Sequence, residues 1–211
     1  MTSILMTMKK PAKRSAVALA ILTMLYEEPM HPYRMQQLIK DRGKDEVINV
    51  TQRASLYQTI NRLEREKLIK AQSVSQFENR PERTIYELTA AGRETMVDWM
   101  RAILSTPSPE FPEFPAALSV LAVITAKDAR QQLERRLTAL EAELKRIEGL
   151  QAQSSFLPRI FLLEMELLRA QCATELKWVR SVVEDLRSGK LTWNEKWLRK
   201  MAKQFAEPHN E

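Results

Sequence analysis

Cysteine is almost absent from this 211-residue chain: Cys172 stands alone, so no disulfide can form within it, which suits a reducing compartment. Cys172 sits in an apolar, helix-spaced run and reads as packing rather than as a reactive thiol. Histidine is as scarce, with only His31 and His209, and no Cys/His set has metal-ligand spacing. Four glycines leave no Gly-rich phosphate loop and few turn signals, so most of the chain is expected to be helix. No nucleophile, base and orienting group stand at a catalytic spacing, so neither an enzyme nor a bound cofactor is expected. Long hydrophobic runs are missing too. The segment AVALAILTMLY extends for about 11 residues, where a bilayer needs about 20. Lys9, Lys10, Lys13 and Arg14 precede it, as in a signal peptide, but Glu27, Glu28 and Pro29 follow where a small-residue cleavage site would stand. The expectation is a buried first helix of a cytoplasmic domain, without stable membrane insertion.

What the chain does have is a globular balance, 44% hydrophobic and 28% charged residues, with a formal net charge of +6. The excess is uneven. Residues 1–106 carry 17 Lys/Arg against 12 Asp/Glu, whereas residues 107–211 carry 16 against 15. A basic N-terminal half points to a polyanionic partner.

Periodicity orders the elements. A first helix is expected over Ser15–Tyr26, stopped by Pro29, and a second with Pro32 in its first turn and Gly43 at its end. Thr51 is placed to cap a third helix, in which Leu56, Ile60 and Leu63 mark one buried face. LIKAQSV and RTIYEL then read as two short strands around the turn-rich SQFENRPE, followed by a helix capped by Thr89. Helix, helix, helix, hairpin is the order of a winged helix-turn-helix. STPSPEFPEFP, with four prolines in eleven residues, reads as an extended strap between a domain of residues 1–106 and a helical domain of residues 107–211.

In the second half, Leu133, Leu137, Leu140, Leu144 and Ile147 repeat at heptad-like spacing, as do Phe161, Met165, Leu168, Cys172, Leu176, Val179 and Val183. A helix over residues 158–188 would be ~45 Å long, more than a small core can cover. Leu163, Leu167, Trp178 and Val182 lie off the seam and give it a second apolar face. The reading is an antiparallel pair that docks on the same pair in a second copy, with the Phe161–Val183 seam as the dimerisation row. Near the end, Trp193, Trp197, Met201 and Phe205 are spaced by four against Lys196, Arg199, Lys200 and Lys203. That is the pattern of an interfacial helix, but folding back over the dimer is the preferred reading.

The third helix begins with polar residues although its other face is apolar. In a helix-turn-helix that tip enters the major groove. Arg53 can pair with guanine, Gln52 or Gln58 with adenine, and Ser55 with base or phosphate. Tyr57, Asn61 and Arg62 suit phosphates, as do Arg80 and Arg83 on the hairpin and Lys13 in the basic lead-in. Arg65 is read as surface. Met96, Trp99 and Met100 on the fourth helix are candidates for a pocket that takes a small hydrophobic effector.

Three segments, ALAILTMLYEEPMHPYRMQQLI, RASLYQTINRLEREKLI and RPERTIYELTAAGRE, together resemble the PadR family of bacterial transcriptional regulators. His31–Tyr33, Ser55–Tyr57, Arg80–Pro81 and Leu88–Arg93 carry the likeness, while Pro32 and Ala54 stand where glycine is more usual. The resemblance implies a homodimeric repressor of its own or adjacent promoters on palindromic double-stranded DNA, released in some relatives by phenolic or other flat hydrophobic compounds. The competing reading is a winged-helix protein-interaction module or scaffold that does not bind DNA.

Overall fold

The computed structural model describes residues 13–49, 53–75 and 83–206. Gln52, Arg80, the expected cap Thr51 and the arm lysines Lys9 and Lys10 lie outside the described residues, and the side chains of Arg53 and Arg83 are likewise not described. The chain divides into two units between Pro109 and Glu110, inside the proline-rich stretch.

In the first unit each helix starts where a side chain can accept an orphan N–H. Ser15 caps α1 (Ala16–Glu27) by accepting the Ala18 N–H. His31 Nδ1 accepts the Arg34 N–H at the head of α2 (Pro32–Asp41), and Gly43, with φ +61°, turns the chain after it. A short 3-10 turn at Lys44–Glu46 leads towards α3 (Arg53–Arg65). α3 ends with Lys67 in the left-handed region, φ +61°, where the Lys67 and Leu68 N–H groups donate back to the Glu64 and Leu63 carbonyls. The strands β1 (Ile69–Ser75) and β2 (Arg83–Leu88) pair antiparallel from Ile69 opposite Leu88 to Ser75 opposite Arg83, and Gln72 is the extra residue of a bulge. Met30 and Tyr86 exchange backbone hydrogen bonds of 3.1 and 3.0 Å, which pins the hairpin to the α1–α2 loop. Thr89 then caps α4 (Ala90–Ser105).

The core of this unit is Ile21, Leu22, Met35, Leu56, Ile60, Leu63 and Ile69, all fully buried. Burial of each such side chain stabilises by roughly 1.5–3 kcal/mol. This is the winged helix-turn-helix order expected from the sequence. α3 contributes Leu56, Ile60 and Leu63 to that core, so its opposite side is left to solvent.

The second unit is helical. α5 (Glu113–Ser119) interrupts the expected extended strap, because Pro115 falls in its first turn, where a missing N–H has no cost. α6 (Ala126–Gln153) and α7 (Leu163–Arg187) run antiparallel. Cross-helix ion pairs Glu134–Arg187, Glu141–Arg180 and Glu148–Arg169 descend α7 as they climb α6. These pairs are exposed and contribute little stability, so they set register more than strength.

Two expectations are corrected here. Residues 158–162 are not part of the second long helix: Arg159–Phe161 form a 3-10 turn, Arg159 reaches round the corner to Glu166, and Phe161 is 55% exposed. Phe161 therefore does not extend the α7 seam. Trp193 precedes α8 (Glu195–Ala206) instead of joining its stripe, because its indole N–H is fastened to the Ile124 carbonyl at 2.8 Å. Asn194 caps α8 through the Trp197 N–H.

Candidate nucleic-acid interface

The side of α3 left to solvent is a stripe of Ala54, Tyr57, Gln58, Asn61 and Arg65, which recur at the three- and four-residue spacing of one helix face. Tyr57 is 48% exposed on this stripe. Arg65 stands on the same stripe, two turns beyond Gln58. Arg65 is exposed, in keeping with its reading as a surface residue.

Ser55, Thr59 and Arg62 occupy the shoulder between stripe and core and are half-buried. The Thr59 hydroxyl donates to the Ser55 carbonyl at 2.8 Å. The Arg62 guanidinium donates to the Lys13 carbonyl and lies 3.4 Å from a Glu66 carboxylate oxygen. Together Lys13, Ser15, Ser55, Gln58, Thr59, Asn61, Arg62 and Arg65 line an open, polar cleft of about 750 Å³. Hydroxyls, amides and guanidinium groups around one concavity make a donor-rich surface that suits phosphate oxygens.

Arg53 opens α3, at the end of the stripe, and Arg83 opens β2, at the far end of the hairpin from the Lys70–Glu87 ion pair. Beneath the stripe, burial raises the Tyr86 phenol above its ordinary pKa, with Glu64 and Tyr57 adding to the effect. The ring stays neutral and supports the wing.

Met96, Trp99 and Met100 do not converge on a pocket. Met96 is consumed in the core of the first unit, where its sulfur accepts the Thr23 hydroxyl; Trp99 packs on the same core, and Met100 is 40% exposed. An aromatic groove lies in the second unit, at Phe114 of the proline-rich stretch. Phe114 meets Trp178 edge-on at 6.2 Å, Arg136 stacks 3.5 Å over Phe114 and pairs with Glu175, and with Pro112, Pro115 and Leu118 they line about 690 Å³.

The row expected to dimerise is spent inside the protomer. Val179 and Val183 are buried against Leu133, with Leu137 and Leu140 alongside. Leu176 and Cys172 are also buried; the Cys172 thiol faces the Leu140 carbonyl and burial pushes its pKa up. Met165 and Leu168 are half-buried. The reason is that α6 lies along this face. The apolar residues of α7 that stay exposed are those off the seam, Leu163, Leu167 and Trp178, continued at the hairpin end by Phe156 and Ile160.

Comparison with known proteins agrees with this geometry. Residues 21–98 match the Transcriptional regulator PadR-like family. A crystal structure of Bacillus subtilis PadR in complex with operator DNA superposes with a TM-score of 0.64 at 20% identity, covering 82% of this chain and 99% of that one. The same protein in complex with p-coumaric acid gives 0.65 at 17% identity, with 82% and 99% coverage. The Vibrio cholerae virulence activator AphA gives 0.61 at 17% identity, again over 82% and 99%. Curated protein sequences give no match. At these identities the superpositions establish a shared fold. Among the described residues no helix is long and apolar enough to cross a membrane.

Proposed function

We propose that the protein is a homodimeric, sequence-specific DNA-binding regulator, a reading supported by the match of residues 21–98 to the PadR-like transcriptional regulator family. In this reading it is no enzyme; it acts in the cytoplasm as a repressor of its own or an adjacent promoter. The observation that carries the reading is the outward stripe of α3, polar from Gln58 to Arg65 and backed by a fully apolar face. A helix held rigidly by Leu56, Ile60 and Leu63 presents that stripe as one unit to a major groove. The superposition on a PadR solved with operator DNA supports the same partner.

Two copies are needed to read a palindrome, with recognition helices ~34 Å or a multiple apart. Leu163, Leu167 and Trp178 are the apolar surface available for that pairing once the inner row of α7 is covered by α6.

The reading is tested at Arg53, which opens α3. Arg53→Ala is expected to weaken operator binding by ~1–3 kcal/mol and to relax preference at one base position. Fluorescence anisotropy on single-base operator variants checks it, after footprinting on the upstream region has located the site. An equal loss at every sequence would make Arg53 a phosphate contact only.

Release by a small hydrophobic or phenolic effector belongs to the same proposal, supported by the PadR structure that contains p-coumaric acid. The Phe114–Trp178 groove has the required chemistry, aromatic walls beside a guanidinium. If p-coumaric acid releases the operator, Phe114→Ala is expected to raise the concentration needed by about tenfold, while leaving ligand-free DNA affinity within about twofold. A titration of the protein–operator complex measures both.

A further inference from the structure

The α6–α7 hairpin of the second unit is unlike at its two ends. At the tip, where α6 gives way to α7, Phe156, Leu157, Ile160 and Phe161 are exposed, Phe156 at 81% and Ile160 at 67%. Large apolar side chains gathered in this way mark a surface that another surface covers. At the opposite end α8 carries a second such face. Trp197, Leu198 and Met201 share one side of α8 through their spacing, and Trp197 is 48% exposed. Among the described residues α8 packs extensively against no other element of its protomer.

We propose that these two faces cover each other across two copies of the chain: α8 of one protomer lies on the hairpin tip of its partner, and the reverse, with the two hairpins antiparallel. The inference rests on the homodimer proposed above and says how its two copies are oriented. Reach excludes the same contact within one chain. The Trp193 indole N–H is fastened to the Ile124 carbonyl, just before α6 begins, so α8 starts from that end of the hairpin. The 28 residues of α6 put the tip ~42 Å away. From Trp193 to Met201 the chain would span at most ~29 Å even if drawn out straight. As a helix α8 covers far less.

Charge decides which end of a second copy α8 meets. α8 carries Lys196, Arg199, Lys200 and Lys203 against Glu195 alone. The hairpin end beside it, residues 126–136 and 180–187, is basic too, with six Lys/Arg against four Asp/Glu. Hairpins docked parallel would set basic α8 against that basic end. The tip is the acidic end: residues 148–169 hold Glu148, Glu164 and Glu166 against Arg159 and Arg169. Antiparallel docking therefore joins apolar to apolar and basic to acidic. A twofold axis between the hairpins makes the contact twice. Between the two contacts, the exposed α7 row of Leu163, Leu167 and Trp178 meets its own copy in reverse order.

Sedimentation equilibrium of the full chain measures the dimer dissociation constant. Phe156→Ser with Ile160→Ser alters the tip, and Trp197→Ser with Met201→Ser alters α8. Each pair is expected to weaken the dimer by about tenfold to a hundredfold. All four together are expected to cost little more than either pair, since both pairs remove the same contact. Losses that multiply would show two separate contacts and overturn the proposal. Cross-linking tests the contact with both faces otherwise intact. Chains carrying Ile160→Cys, mixed with chains carrying Trp197→Cys, are expected to form a disulfide between unlike chains; Cys172 is buried and does not compete. Links between two chains that both carry Trp197→Cys would put the two α8 helices together and overturn the proposal. So would a dimer indifferent to all four serine substitutions; if that chain floats with phosphatidylglycerol vesicles, α8 serves a lipid surface instead. A parent chain that stays monomeric at every concentration would overturn the homodimer reading itself, and this inference with it, which sets that outcome apart from the others.

Discussion

Gly92→Ala is expected to unfold the first unit or to lower its stability by about 3–5 kcal/mol, a large part of the ~5–15 kcal/mol that holds an ordinary domain together. A Cβ at this position would stand 2.0 Å from the Leu68 carbonyl oxygen and 2.8 Å from Leu88 Cδ1. The carbonyl cannot move aside. It already accepts the Thr89 N–H at 3.1 Å and lies 2.9 Å from the Thr89 hydroxyl, which also reaches the Lys67 carbonyl. That hydroxyl in turn accepts the Gly92 N–H at 3.0 Å and so caps α4. The Leu-Thr-x-x-Gly sequence at Leu88–Gly92 is therefore a clasp: it closes the head of α4 onto the end of α3 and the start of β1. If the clasp is forced open, both α3 and the hairpin lose their common support. Thermal melting by circular dichroism measures the loss, at roughly 4–8 °C per kcal/mol for a unit of this size. Gly149→Ala is the control, because a Cβ there meets nothing within 4 Å near the C-terminal end of α6 and should stabilise by ~0.5–1 kcal/mol. A Gly92→Ala chain that melts within about 2 °C of the parent would contradict the close approach.

Operator affinity is expected to fall about a thousandfold or more as salt rises from ~50 to ~200 mM. The size follows from the number of cations that two protomers offer. Residues 1–106 hold 17 Lys/Arg against 12 Asp/Glu, and several of these acids are already paired within the fold, as Glu27 is with Arg42 and Glu87 with Lys70. Lys13 lines the cleft beside the α3 stripe, Arg65 lies on that stripe, Arg53 opens α3 and Arg83 opens β2. Doubled in the proposed homodimer, a set of this kind is expected to contact about six to ten phosphates, and each contact would release condensed counterions. A winged helix that bound another protein through Tyr57 and Gln58 would show a shallow dependence, because few counterions would be displaced. Anisotropy over a salt series separates the two readings; an affinity that changes by less than about tenfold over that range would favour the protein partner.

The elements of the first unit were legible because their signals are local. Ser15 and Thr89 accept the N–H groups of their own first turns, and Leu56, Ile60 and Leu63 share a face through spacing alone. The resemblance to PadR-like regulators rested on the same short segments, and the family match falls across them. The site was legible only in part. The exposure of Tyr57, Gln58, Asn61 and Arg65 follows from helical phase. The engagement of Arg62 does not, because its partner is a carbonyl 49 residues away and no local pattern records such a bond.

By itself the sequence determined the order of elements, the buried faces of the helices and the basic bias of the N-terminal half, since i, i+3 and i+4 spacing and charge content are properties of short segments. Only the tertiary structure decided which of the two apolar faces of α7 is used within the chain, where α7 starts, that Met96 belongs to a core and that Trp193 leaves the α8 stripe for the Ile124 carbonyl. Each of these depends on which other surface arrives to compete for a side chain, and that is settled by contacts between residues far apart in sequence.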